Sequence, residues 1–156
     1  MGFSITGILI AAFIFSPNLI FVVFPPKNVP EGLKDAGILF TAMERAGQAG
    51  CLVILVISKA NFQNLPLNIW FILMALCVIS YYCLWTRYAV KGQDFLLAFK
   101  PFLFLPIPMA VLPVLAFGFA AIWGNSIYLG SAVVLLAAGH FTNSWNTYKL
   151  LLQNQK

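Results

Sequence analysis

Five runs of about 20 predominantly apolar residues dominate the sequence, and only short connectors separate them. A helix of this length crosses the hydrocarbon core of a bilayer, because each residue advances about 1.5 Å through a layer about 30 Å thick. Helices also satisfy their own backbone polar groups, which lipid cannot do. The runs lie at Phe3–Phe24, Ala36–Ser58, Leu67–Thr86, Pro101–Trp123 and Ile127–Leu151. The pattern predicts an all-α integral membrane protein with five transmembrane helices, in a single transmembrane domain over residues 1–156.

The composition excludes most other classes of protein. Charged residues make up 8% of the chain, whereas a water-soluble domain carries about a quarter. The basic residues are scattered, so we expect the lipid bilayer rather than nucleic acid as the partner. The three cysteines form no CxxC pair and the chain has one histidine, which argues against a disulfide framework, a zinc site or a bis-histidine haem. We therefore expect no cofactor and no bound metal.

The basic residues of the connectors predict the orientation of the chain. Positive charges accumulate on the cytoplasmic side of membrane proteins. Only Lys59 falls on one side of five spans, and Arg45 lies within a span. The other side holds Lys27, Lys34, Arg87, Lys91, Lys100, Lys149 and Lys156. This bias predicts N-out/C-in topology, and we expect the cytoplasmic (inner) membrane of a prokaryote.

Aromatic residues near the span ends agree with five spans, because Trp and Tyr collect at membrane interfaces. The predicted outer ends carry Trp70, Trp123 and Tyr128, and the inner ends carry Trp85, Tyr88, Trp145 and Tyr148.

Two features interrupt the regular spans. Asp94 follows a glycine and precedes "FLLAF", a pattern that predicts a short interfacial helix capped by the aspartate. The prolines of "KPFLFLPIPMAVLP" then predict that the fourth span is broken and becomes regular near Pro108, because proline removes a backbone hydrogen bond. Pro17 should bend the first span close to Asn18 for the same reason.

An unusual polar stretch, "AMERAGQAGC", lies inside the second span. At 100° per residue, Glu44, Arg45 and Gln48 share one helix face with Thr41. The row Ala42, Ala46 and Gly50 beside it is small enough to let another helix pack closely.

Polar residues of other spans are predicted at the same depth. His140, Asn143 and Ser144 share a face of the fifth span, as far from its cytoplasmic end as Glu44 is from that of the second span. Tyr81 and Trp85 of the third span and Asn18 of the first lie near that level. A charged side chain at mid-bilayer costs about 2.5–3.5 kcal/mol or more, so such residues need partners. We expect one hydrogen-bonded cluster containing Glu44, Arg45 and His140.

Two structural interpretations compete with a binding site. The second span could begin later, leaving Glu44 and Arg45 at the headgroups, where Arg45 reaches lipid phosphates. The polar faces could also simply join the second and fifth helices.

Three functions follow from these observations. The first is a small polytopic membrane protein that binds or transports a small, anionic or amphiphilic ligand in a cytoplasm-facing intramembrane pocket, with Arg45 holding an anion. The second is a membrane enzyme acting on a lipid-linked substrate, with Glu44 and His140 as acid and base. The third is a non-catalytic membrane subunit of a larger complex or a homo-oligomer, joined through its small-residue faces.

Overall fold

The computed structural model describes residues 2–30, 32–33, 36–102 and 105–153, and these residues form an all-helical structure. Lys34 and Lys156, two of the basic residues that predict the orientation, lie outside the described residues. A 3-10 turn at Ser16–Leu19 separates the first two helices. The helices are α1 (Ile5–Phe15), α2 (Ile20–Val23), α3 (Ile38–Ile57), α4 (Lys59–Phe62), α5 (Ile69–Val90), α6 (Phe95–Phe99), α7 (Pro108–Trp123) and α8 (Ile127–Gln153).

The first apolar run is interrupted at its proline, as expected. Ser4 begins α1 by accepting a hydrogen bond from the Gly7 amide at 3.0 Å. Pro17 lies in the 3-10 turn that follows, because proline cannot donate the hydrogen bond that would continue the helix. This turn presents Asn18 on the way into α2.

The connector before the fourth run and the run itself both have the predicted helical pattern. Asp94 caps α6 by accepting from the Leu96 amide at 3.2 Å. Regular helix resumes only at Pro108, where a proline at the first helical position loses no intrahelical hydrogen bond. Ile107, just before it, has a φ of 50°, a left-handed conformation that is uncommon for a β-branched residue.

Three helical stretches of the described residues are long and apolar enough to cross a membrane, namely Ile5–Val23, Ile38–Ile57 and Ile69–Val90. The apolar helix α7 is shorter, with 16 residues. Helix α8 has 27 residues, and its second half contains His140 and many polar side chains. The length and composition of the three stretches indicate an integral membrane protein.

The connectors meet at two ends of the bundle. At one end the Lys27 amide donates to the Gln93 carbonyl at 2.8 Å. At the other, Trp123 Nε1 donates to the Pro66 carbonyl at 2.9 Å, and the Asn61 side chain donates to the Gly124 carbonyl at 3.0 Å. Between these ends α3 packs along α8, and α5 and α8 both pack on α7.

Several aromatic residues assigned to the membrane interfaces lie inside the protein instead. Trp85, Tyr88 and Trp123 are buried in the bundle, whereas Tyr128 and Trp145 are exposed. Large aromatic rings fill space between helices as well as they fill an interface, so their position in a span does not decide between the two. The outward surface consists largely of exposed Leu, Ile, Val and Phe side chains, as lipid contact requires.

Candidate functional site

Two glycines bring α3 and α8 into backbone contact. A Cβ atom on Gly139 would lie 2.4 Å from the Glu44 backbone nitrogen, and one on Gly47 would lie 2.3 Å from the Leu136 nitrogen. Neither position can hold a larger residue at this spacing. Of the predicted small-residue row, Ala42 and Ala46 are exposed and do not form this contact. The glycine contact places polar side chains of the two helices within direct reach of each other.

The Glu44 carboxylate of α3 accepts two hydrogen bonds from α8. His140 Nδ1 lies 2.6 Å from Oε1, and Asn143 Nδ2 donates to Oε2 at 2.6 Å. Since a carboxylate only accepts, His140 holds a proton on Nδ1. Both side chains of the pair are partly buried, His140 at 27% and Glu44 at 24% exposed. No hydrogen bond to a described residue engages His140 Nε2.

The pair lines a cavity of about 150 Å³ between the helices. Tyr81 and Trp85 line the same cavity, as the sequence predicts, although they lie on a different helix from Glu44 and from His140. Of the predicted site residues, those in the lining are Asn18, Glu44, Gln48, Tyr81, Trp85, His140 and Ser144. Asn143 does not line the cavity, but its side chain donates a hydrogen bond to the Glu44 carboxylate.

The wall formed by α5 combines aromatic packing with polar groups. The Tyr81 hydroxyl donates to Asn18 Oδ1, which joins α5 to the 3-10 turn. Trp85 packs edge-on against Phe21, with ring centroids 4.7 Å apart. Its indole Nε1 is buried, and no hydrogen bond in the described part of the chain satisfies it. The rings of Tyr81 and Trp85 pack edge-on, with centroids 6.1 Å apart.

Arg45 does not join the predicted cluster. It is exposed, it is not part of the cavity lining, and no described residue forms a hydrogen bond or ion pair with it. Neighbouring residues of a helix point in directions about 100° apart, so the side of α3 that presents Glu44 to α8 turns Arg45 outward. The expectation of an anionic ligand rested on Arg45.

Much of the lining has no polar signal in the sequence. Four phenylalanines surround the cavity together with apolar side chains of α7, and they are Phe15, Phe21, Phe99 and Phe117. An apolar residue that faces a cavity cannot be distinguished by hydropathy from one that faces lipid. The interruptions at Pro17 and Pro108 are the available signal, because irregular backbone inside a membrane protein often lines a cavity.

A second, open groove of about 530 Å³ lies beside the cavity. It runs between α8 and the start of α7, with Pro106, Phe141, Trp145 and Lys149 in its walls. The groove and the cavity share Ile107, Ala110 and Ser144 as lining residues. These three side chains therefore form the partition between them.

Comparison with known protein families, with characterised proteins and with solved structures gives no match. Among the described residues, no three His, Cys, Asp or Glu side chains come together in a group that could hold a metal ion. The fold and the site therefore define a class only: an all-helical integral membrane protein with a partly polar cavity among its helices.

Proposed function

We propose that this chain is a membrane protein that binds a small amphiphilic ligand in the cavity beside Glu44 and His140, as a step in moving that ligand through the bilayer. The observation that carries the proposal is the ionisable pair itself, hydrogen-bonded at 2.6 Å and open to about 150 Å³ of space. Ionisable residues within membrane helices are costly, and they commonly mark ligand or proton pathways.

Helix packing alone accounts poorly for the pair. A pair that served only to join α3 and α8 could be closed off completely, because the Gly47 and Gly139 contacts already hold the helices together. Instead about a quarter of each side chain stays exposed, and both line the cavity. The surrounding wall is mostly aromatic and apolar, which is typical of sites that hold small organic molecules through a few placed polar groups.

We propose an amphiphilic ligand and not an anionic one. Arg45 lies on the outer face of α3, and the described lining contains no other basic residue apart from His140. The groove beside the cavity suggests a lateral route to it, since the two spaces share Ile107, Ala110 and Ser144 among their described lining residues.

The proposal includes five membrane crossings with N-out/C-in topology in a prokaryotic inner membrane. In support of five crossings, the connectors that follow α2 and α5 pair with each other at one end of the bundle. Those near Asn61, Pro66 and Trp123 meet at the other end. The orientation rests on the excess of basic residues on the first of these ends.

Quenching of tryptophan fluorescence by the small amphiphile 3-bromopropan-1-ol in proteoliposomes tests the binding function. We expect a saturable component from Trp85 on top of the linear quenching that lipid partitioning produces. Ala110→Phe, which places a ring in the cavity, should abolish the saturable component, and Ala42→Phe on the exposed face should leave it intact.

A Trp85→Phe variant removes the reporter without adding volume and should also lose only the saturable component. Quenching that stays linear in the unsubstituted protein, or a saturable component equal in all variants, would overturn the proposed function.

A second candidate function is that of a subunit in a homo-oligomer or a larger membrane complex. It is favoured by the small face that α3 exposes at Ala42 and Ala46. Such faces let helices of different chains approach closely in lipid. Ala46→Cys should then form a disulfide between chains under mild oxidation in the native membrane, and Phe13→Cys on the exposed side of α1 should not.

A further inference from the structure

Among the described lining residues, the side chains that can carry a charge at physiological pH belong to one pair. Glu44 and His140 are ionisable, Tyr81 is neutral at physiological pH, and the described lining contains no lysine or arginine. The lining contributed by α1, α6 and α7 includes no titratable side chain. On α3, Arg45 is the nearest charge outside the lining, and it is exposed. The cavity therefore carries one negative charge whenever His140 is neutral.

The walls around that charge are rich in aromatic rings. Phe15 and Phe117 pack against each other with centroids 5.6 Å apart, and Phe21 packs against Trp85. All four rings line the cavity with Glu44. The faces of aromatic rings attract cations through their quadrupole, and cages of such rings recognise substituted ammonium groups. Both the carboxylate and the rings therefore favour a cation and disfavour an anion.

The geometry of the pair allows it to be neutral in two ways. Protonation of His140 at Nε2 gives an imidazolium beside the carboxylate, with no net charge. Without that proton the pair is an anion in a medium of low dielectric constant, where an uncompensated charge is costly. A cation in the cavity would supply the same compensation, because both side chains line the space. His140 Nε2 has no partner among described residues.

We propose that the cavity binds a small organic ammonium ion in exchange for the proton of His140. On binding, the imidazolium releases its Nε2 proton to solvent, the ring becomes neutral with its remaining proton on Nδ1, and the ammonium ion balances Glu44. The net charge of the pair with its occupant is zero before and after. This exchange rests on the proposed function, since it specifies the ligand of the same cavity.

The cavity volume limits the size of the cation. An apolar cavity of about 150 Å³ holds benzene, so an ion of about seven non-hydrogen atoms such as choline is a suitable probe. Its neutral isostere, 3,3-dimethylbutan-1-ol, has the same shape with carbon in place of nitrogen. The two probes therefore differ in charge alone.

Isothermal titration calorimetry of the full chain in nanodiscs tests the exchange. Choline should bind at least tenfold more tightly than 3,3-dimethylbutan-1-ol. The choline dissociation constant should rise as the pH falls, by up to about tenfold per pH unit, because protons compete for the pair, whereas binding of the alcohol should not change with pH. Titrations in two buffers of different ionisation enthalpy should show release of up to one proton per choline, equal at each pH to the change in the logarithm of the dissociation constant per pH unit.

Two neighbouring substitutions provide the matched control. Glu44→Gln removes the charge at nearly constant shape and should reduce the choline preference to less than about threefold, with loss of proton release. Arg45→Gln removes the adjacent exposed charge and should change the choline affinity less than about threefold.

The possible failures are distinct. Equal binding of both probes, or choline binding without proton release, would overturn the cation exchange and leave the proposed binding function standing. Absence of binding by choline, by 3,3-dimethylbutan-1-ol and by 3-bromopropan-1-ol would overturn both.

Discussion

At the residue scale, the Glu44 carboxylate is held by two donors that lie three residues apart on α8. His140 reaches one carboxylate oxygen and Asn143 the other, each at 2.6 Å. Residues at i and i+3 share a helix face, so one helix can bind a carboxylate from both sides. Asn143 also accepts from the Ala36 amide at 3.3 Å, which ties the start of α3 to α8. Asn143 is thus a positioning residue for the pair.

Asn143→Ala should therefore destabilise the protein by about 1 kcal/mol, the scale of hydrogen bonds between membrane helices. The reason is the loss of one of the two donors to Glu44. Unfolding by steric trapping in mixed micelles measures the effect, and a double-mutant cycle with Glu44→Gln isolates the shared bond. Thr142→Ala is the control, because the Thr142 hydroxyl only donates to its own helix at Ala138. A cycle with no coupling energy would contradict this role.

The sequence predicted the members of this pair but not the outward position of Arg45. Glu44 and His140 follow from helical spacing and equal depth, which depend only on the regular geometry of helices. The face of α3 that packs in the bundle is centred on Gly47, Cys51 and Leu55, and Arg45 lies about 120° from that centre. Leucine contacts protein and lipid equally well in a membrane, so hydropathy could not locate the packed face.

At the element scale, the α3–α8 crossing sets the geometry of the site. Gly139 directly precedes His140 in the chain, and its α-carbon approaches the backbone at Glu44 and Phe40. The sequence indicated a small-residue contact in the row Ala42, Ala46 and Gly50. Gly50 lies against Ala132 of α8, whereas Ala42 and Ala46 are exposed. The proline interruptions were predictable because they follow from covalent structure. The volume that they leave between helices was not, because it depends on packing of the whole bundle.

Gly139→Ala should separate α3 from α8 and weaken the pair. The added methyl group would lie 2.4 Å from the Glu44 nitrogen and 2.5 Å from the Phe40 carbonyl oxygen, both backbone atoms that cannot rotate away. We expect a loss of stability of about 1–3 kcal/mol, as for other overpacked contacts.

Gly130→Ala on the same helix is the matched control, since nothing lies within 4 Å of the position that its methyl group would take. It should be neutral or stabilising by up to about 1 kcal/mol, the helix preference for alanine over glycine. Thermal unfolding in detergent compares the two variants, and equal stability would show that the helices cross elsewhere.

At the scale of the whole molecule, the arrangement is apolar outside and partly polar inside. Exposed side chains of α1, α3, α5 and α8 are mainly apolar, while Asn18, Glu44 and His140 face the interior. Helix α7, with 16 residues, is only about 24 Å long, shorter than a hydrocarbon core of about 30 Å. If the fourth run crosses the membrane as proposed, residues outside α7 must supply the remaining depth.

The orientation of this bundle yields a final prediction, N-out/C-in topology. The end at which Lys27 pairs with Gln93 also carries Lys91 and Lys100, and α8 brings Lys149 to it, whereas the opposite end carries Lys59 among its described basic residues. Retention of positive charge in the cytoplasm should place the first end inside.

A reporter active only in the cytoplasm should therefore work when fused at the C-terminus and fail when inserted in the Lys59–Asn64 connector. A reporter active only outside should show the reverse pattern. Changing Lys91 and Lys100 to glutamine together should raise the fraction of inverted chains. If both fusion sites report the cytoplasm, the chain does not cross the membrane five times, and the proposed route into the cavity from the cytoplasmic leaflet fails with it.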